Sequence, residues 1–60
     1  MMTKVERNKR IKNLEFTVTD RYVSATDENG TYIYRKRVDS VEVEKERLRN
    51  WFDEMYKGKR

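Results

Sequence analysis

Leu14, Phe16 and Val18 alternate with Glu15, Thr17 and Thr19, the period-two pattern of a strand that buries one face. Tyr22 to Thr26 continues in β-favouring residues, and Asp27-Glu28-Asn29-Gly30-Thr31 then reads as a hairpin turn. Its expected form is a type I turn over Glu28 and Asn29 followed by Gly30 in the left-handed region, which glycine enters without steric cost. The same letters resemble a calcium loop only as far as Asn29, where the D-x-[DN]-x-[DN]-G spacing fails, so the turn reading stands.

A loop at 28–30 sets Asp27 opposite Thr31, Ala25 opposite Ile33 and Ser24 opposite Tyr34. With Asp20 and Arg21 as the first turn, Val18 falls opposite Val23 and Phe16 opposite Ala25. Leu14, Phe16, Val18, Val23, Ala25 and Ile33 then share one side of a three-stranded antiparallel meander over about 13–19, 21–27 and 31–38. Asp-Arg is a poor pair for a two-residue primed turn, and a slip of one residue would reverse the faces.

From Val41 the period changes. Val41, Leu48, Trp51, Phe52, Met55 and Tyr56 fall within about 140° of a helical wheel, which predicts an amphipathic helix over about 40–57 packed on the apolar side of the sheet. Asp39 followed by Glu42 fits a capping box, Glu42, Glu44 and Glu46 suit the positive end of the helix dipole, and Gly58 is placed to stop the helix. "SVEVE" could instead extend the third strand. The expected class is α+β. The expected core is Leu14, Phe16, Val18, Ala25, Ile33, Leu48, Trp51, Phe52 and Met55.

Size and charge narrow the picture. Sixty residues make at most one domain with a thin core, and the absence of Cys and His removes disulfides and the ordinary zinc ligands. No metal or other cofactor is expected. Residues 1–12 carry Lys4, Arg7, Lys9, Arg10 and Lys12 against Glu6 alone, which equals the whole net charge of +4 and leaves the rest neutral. This segment reads as a basic, flexible arm before a single domain at 13–60, with a short helix capped by Thr3 and Glu6 as the alternative. No apolar run approaches a membrane span and the N-terminus lacks the apolar stretch of a signal peptide, so a cytoplasmic location is expected.

With no His or Cys and little room for a pocket, an enzyme is not expected. The side of the sheet away from the helix is more informative. It carries Glu15, Thr17, Thr19, Tyr22, Ser24, Thr26, Tyr32, Tyr34 and Lys36, a face rich in hydroxyls and rings. "YIYRKR" (32–37) interleaves rings that stack on bases with cations that neutralise phosphates, so the candidate nucleic-acid contacts are Tyr22, Tyr32, Tyr34, Arg35, Lys36 and Arg37, with Lys9, Arg10 and Lys12 from the arm. Alternation puts Arg35 and Arg37 on the side opposite Tyr32, Tyr34 and Lys36, although long Arg stems can curl round an edge strand.

In order of elements, residues 14–57 resemble AP2-type DNA-binding domains and the arm-binding domains of phage-type integrases, whose sheets enter the major groove. That resemblance implies a DNA partner and, beyond the Tyr, Arg and Lys content of "YIYRKR", carries no residue roles. The sequence-based expectation is a small accessory or regulatory nucleic-acid-binding protein, with DNA or RNA as partner. The alternative is a small protein-interaction module, of viral or mobile-element type, that inhibits or redirects a larger enzyme. A homodimer that buries the tyrosines is compatible with either.

Overall fold

In a computed structural model of the chain, which describes residues 2–58, Thr3 accepts a hydrogen bond from the Glu6 N–H at 3.2 Å and caps a first helix, α1 (Lys4–Lys12). Lys4–Lys12, expected within a flexible arm, instead form the alternative, a helix capped by Thr3. Arg7 Nε donates to Asp53 Oδ1 at 3.2 Å, and Met2 and Ile11 pack against the core, so α1 lies along the second helix. Lys59 and Arg60 lie outside the described residues.

Three antiparallel strands follow, β1 (Glu15–Val18), β2 (Tyr22–Thr26) and β3 (Tyr32–Lys36), in the order β1-β2-β3. The register is the expected one: Phe16 faces Ala25, Val18 faces Val23, Ala25 faces Ile33 and Ser24 faces Tyr34. The first turn closes without a primed conformation, since no residue but glycine has positive φ among the described residues. Thr19 supplies what Asp-Arg lacks. Its hydroxyl oxygen accepts from the Arg21 and Tyr22 N–H groups at 3.3 and 2.9 Å, and its own N–H donates to the Tyr22 carbonyl at 2.8 Å. At the second turn Gly30 has φ +85° and donates to the Asp27 carbonyl at 3.1 Å.

The second helix, α2 (Val41–Tyr56), is capped by Ser40, whose hydroxyl accepts from the Val43 N–H at 3.3 Å. Asp39, expected as the cap, instead forms an ion pair with Arg47 at 2.7 Å. Val23, Ala25, Leu48 and Phe52 are fully buried, with Leu14 and Tyr56 nearly so, and Phe16 and Ile33 pack at the margin. Three residues expected in the core lie outside it: Val18, Trp51 and Met55 are 43%, 46% and 38% exposed. The reason is the roll of α2. The row that faces the sheet is Glu44, Leu48, Phe52 and Tyr56, one residue per turn, and α1 occupies the flank beyond Asp53. Trp51 is left on the opposite flank, beside β3, with its ring edge-on to Phe52 at 5.2 Å.

Two polar anchors hold α2 to the sheet. Near its start, the buried Glu44 carboxylate accepts from Arg35 Nε (2.8 Å), Arg47 (3.2 Å) and the N–H groups of Val38 (3.3 Å) and Asp39 (3.0 Å). Arg35 and the Asp39 N–H hold its pKa down at about 2 against the opposing effect of burial. At its end, the Tyr56 hydroxyl donates to Asp27 Oδ2 at 2.8 Å, while Asp27 Oδ1 accepts the Asn29 and Thr31 N–H groups of the hairpin turn at 3.0 and 2.8 Å. Burial raises the Asp27 pKa, but the bonds from Thr31, Tyr56 and Asn29 outweigh it and the net direction is down. Tyr56 moves up, through burial and then the bond to Asp27.

Candidate nucleic-acid interface

Period-two alternation puts Tyr22, Tyr32 and Tyr34 on the side of the sheet that no helix covers, and cross-strand pairing brings them together. Tyr22 and Tyr34 meet edge to face with ring centres 5.3 Å apart, and Tyr32 lies 6.3 Å from Tyr34 at a tilt of 38°. Tyr32 and Tyr34 are each 60% exposed. With Thr17, Thr19 and Ser24 they line a shallow hydroxyl-rich groove. Such a surface offers ring faces for stacking and O–H groups for hydrogen bonding.

The cations gather at one end. Lys36 is exposed and pairs across the strands with Tyr22, and the Arg37 N–H donates to the Arg21 carbonyl at 2.7 Å, which places Arg21 and Arg37 side by side next to that pair. Arg21 was absent from the expected set. Its signal was in the register: once Tyr22 faces Lys36, the preceding residue must meet Arg37. Arg37 also donates to the Thr19 carbonyl at 2.8 Å while its side chain stays at the surface.

Other expected contacts are elsewhere. Arg35 turns to the helix side, where it neutralises buried Glu44. Lys9, Arg10 and Lys12 sit on α1, behind the sheet. Arg10 is half-buried and its charge acts on Asp27 and Tyr56. Lys9 and Lys12 rim a second groove with Val5, Ile11, Phe16 and Arg49, and Lys45 and Arg49 cover the Phe16 ring at 5.5 and 5.2 Å. The expected single surface is thus two: an open ring-bearing face, and a basic groove behind it.

Among the described residues no three acidic side chains are grouped so as to hold a metal ion, and no helix is long and apolar enough to cross a membrane. Neither a protein-family model, nor a curated protein, nor a solved structure matches the chain.

Proposed function

We propose that this chain is a small accessory or regulatory protein that binds single-stranded DNA or RNA on its open sheet face. The observation that carries the reading is the cluster of three exposed tyrosine rings on a face with no aliphatic side chain among them and with cations at its end. Bases stack on Tyr22, Tyr32 and Tyr34, the exposed Thr17 hydroxyl meets base edges, and Lys36, Arg21 and Arg37 take phosphates. Single strands fit better than a duplex because stacking requires splayed bases. Only Lys36 is charged positively on the face itself, and Glu15 lies at the other end.

Fluorescence anisotropy with labelled oligonucleotides tests this. Three phosphate contacts at about 0.7 counterions each give a log-log salt slope near −2 for a single strand. Tyr34→Ala removes a platform worth about 1–3 kcal/mol per base, and Lys36→Ala lowers the slope by about one contact. Lys9→Ala and Lys12→Ala leave the affinity nearly unchanged, because these side chains face away. Absence of binding to any DNA or RNA at low salt, where attraction is strongest, would refute the proposal.

A protein-binding role is the second reading, and the groove around Phe16 favours it. A groove with Ile11 and Phe16 at its base and Val5, Lys9, Lys12 and Arg49 around it suits an acidic segment with an apolar anchor. Lysine variants that leave oligonucleotide binding intact but release a protein partner would support that role.

A further inference from the structure

β3 is an edge strand, and its outer side pairs with no strand among the described residues. The Asp27 N–H donates to Thr31 and the Arg37 N–H to Arg21. Antiparallel alternation from these two bonds turns the backbone groups of Ile33 and Arg35 toward β2 and those of Tyr32, Tyr34 and Lys36 outward. The outward row is a short template for another strand.

We propose that the chain forms a two-fold dimer in which β3 pairs antiparallel with β3 of a second copy, centred on Tyr34. Three features select this partner and register. First, centring on Tyr34 is the antiparallel register in which all three outward residues meet outward residues: Tyr34 meets Tyr34, and Tyr32 meets Lys36 on each side. Second, it sets Lys36 against a tyrosine and Arg35 against Ile33, so no like charges face each other, as they would after a shift that brought Lys36 to Lys36.

Third, Arg47, Asn50, Trp51 and Glu54 run along α2 beside Ile33, Tyr34 and Arg35. The same axis reverses α2 of the second copy, which brings Arg47 opposite Glu54 and Asn50 opposite Trp51. The stripe is its own complement, as an isologous contact requires. Arg47 already meets Asp39 at 2.7 Å and Glu54 meets Lys57 at 3.6 Å, so the cross-dimer pair extends networks present in each chain. Trp51, nearly half exposed in one chain, becomes the centre of the contact. The opposite edge, β1, does not offer this: Lys45 and Arg49 over Phe16 would confront the same cations of a second copy.

The dimer does not depend on nucleic-acid binding, but it would join two three-stranded sheets into six strands with both tyrosine clusters on one side. Multi-angle light scattering over a dilution series from millimolar to micromolar tests it. The expected mass is twice 7.4 kDa at the top of the series, falling on dilution with a red shift of Trp51 emission. Tyr34→Pro deletes the N–H on the axis and no bond to β2. Trp51→Lys adds a charge at the contact. Each is expected to weaken dimerisation by ~10-fold or more with unchanged circular dichroism. Tyr22→Lys, on the open face of the central strand, is expected to leave the dimer intact.

A mass of 7.4 kDa throughout the series overturns the proposal. So does a dimer that survives both Tyr34→Pro and Trp51→Lys, or one lost with Tyr22→Lys, which would mean that the tyrosine faces pack together. A monomer whose Trp51 emission responds to an unrelated extended peptide assigns the edge to a foreign strand and also overturns self-pairing. If Tyr34→Pro does not fold, Trp51→Lys alone decides.

Discussion

Replacing Tyr56 by phenylalanine removes one oxygen atom from a buried site and nothing else. That oxygen donates to Asp27 Oδ2 at 2.8 Å, and both residues are nearly inaccessible to water, so no solvent molecule readily takes its place. A hydrogen bond to a charged group contributes about 1.5–3 kcal/mol. For a chain of this length the total stability expected is about 3–9 kcal/mol, so Tyr56→Phe consumes a large share of it. With a urea m-value near 1 kcal/mol/M, the unfolding midpoint should fall by about 1.5–3 M.

The pH dependence adds an independent signature. The folded Asp27 pKa lies below its unfolded value, so its contribution is complete above about pH 4 and is lost as pH falls through the lowered value. The folded Tyr56 pKa lies above its unfolded value, so the wild type loses stability as pH rises beyond about 10, where the unfolded tyrosine ionises first. Tyr56→Phe should flatten the alkaline limb and part of the acid limb. A variant within about 0.5 kcal/mol of wild type from acid to alkaline pH would refute the assignment of this bond as an anchor.

Two further outcomes follow from the packing of α2. Phe52→Ala should cost about 3–5 kcal/mol and unfold most of the population, whereas Trp51→Ala, with nearly half its surface already wet, should cost about 1 kcal/mol and still melt cooperatively by circular dichroism. Glu44→Gln should destabilise the fold at neutral pH. Because the Glu44 pKa is about 2 folded against 4.5 as its ordinary value, the wild-type advantage is complete above pH 4.5 and should vanish as acid titration passes below about 2.

Strand register was legible because two local signals agreed. Asp27 to Thr31 specified a turn with glycine at the left-handed position, and the alternation from Leu14 to Val18 then had to face Val23 and Ala25. The roll of α2 was less legible. Its apolar arc ran from Trp51 to Tyr56, but the buried row begins with Glu44, which hydropathy alone assigns to solvent. What brings a carboxylate inside is Arg35, nine residues earlier, together with two loop N–H groups that exist only once the loop is folded.

For residues 4–12 the alternative, the helix capped by Thr3, is the one formed. The charges there read as a tail, while Thr3, Arg7 and Ile11 supply the cap, the ion pair and the apolar contact of a helix. On the candidate face, the tyrosines and Lys36 were visible from period two alone. Alternation also put Arg35 on the helix side, but the buried Glu44 that holds it there was not visible.

Pinning α2 to β3 through Glu44 and to the β2–β3 turn through Tyr56 has a consequence for how the molecule opens. The helix cannot lift from either end without breaking a multiply bonded carboxylate, so α2, β2 and β3 should exchange their amide hydrogens as one cooperative unit, at the free energy of global unfolding. Helix α1 is joined to α2 by one ion pair and a few half-buried side chains, and it contributes no buried residue. Its amides should exchange first, uncovering Phe16 and the cations around it while the tyrosine-bearing sheet stays closed.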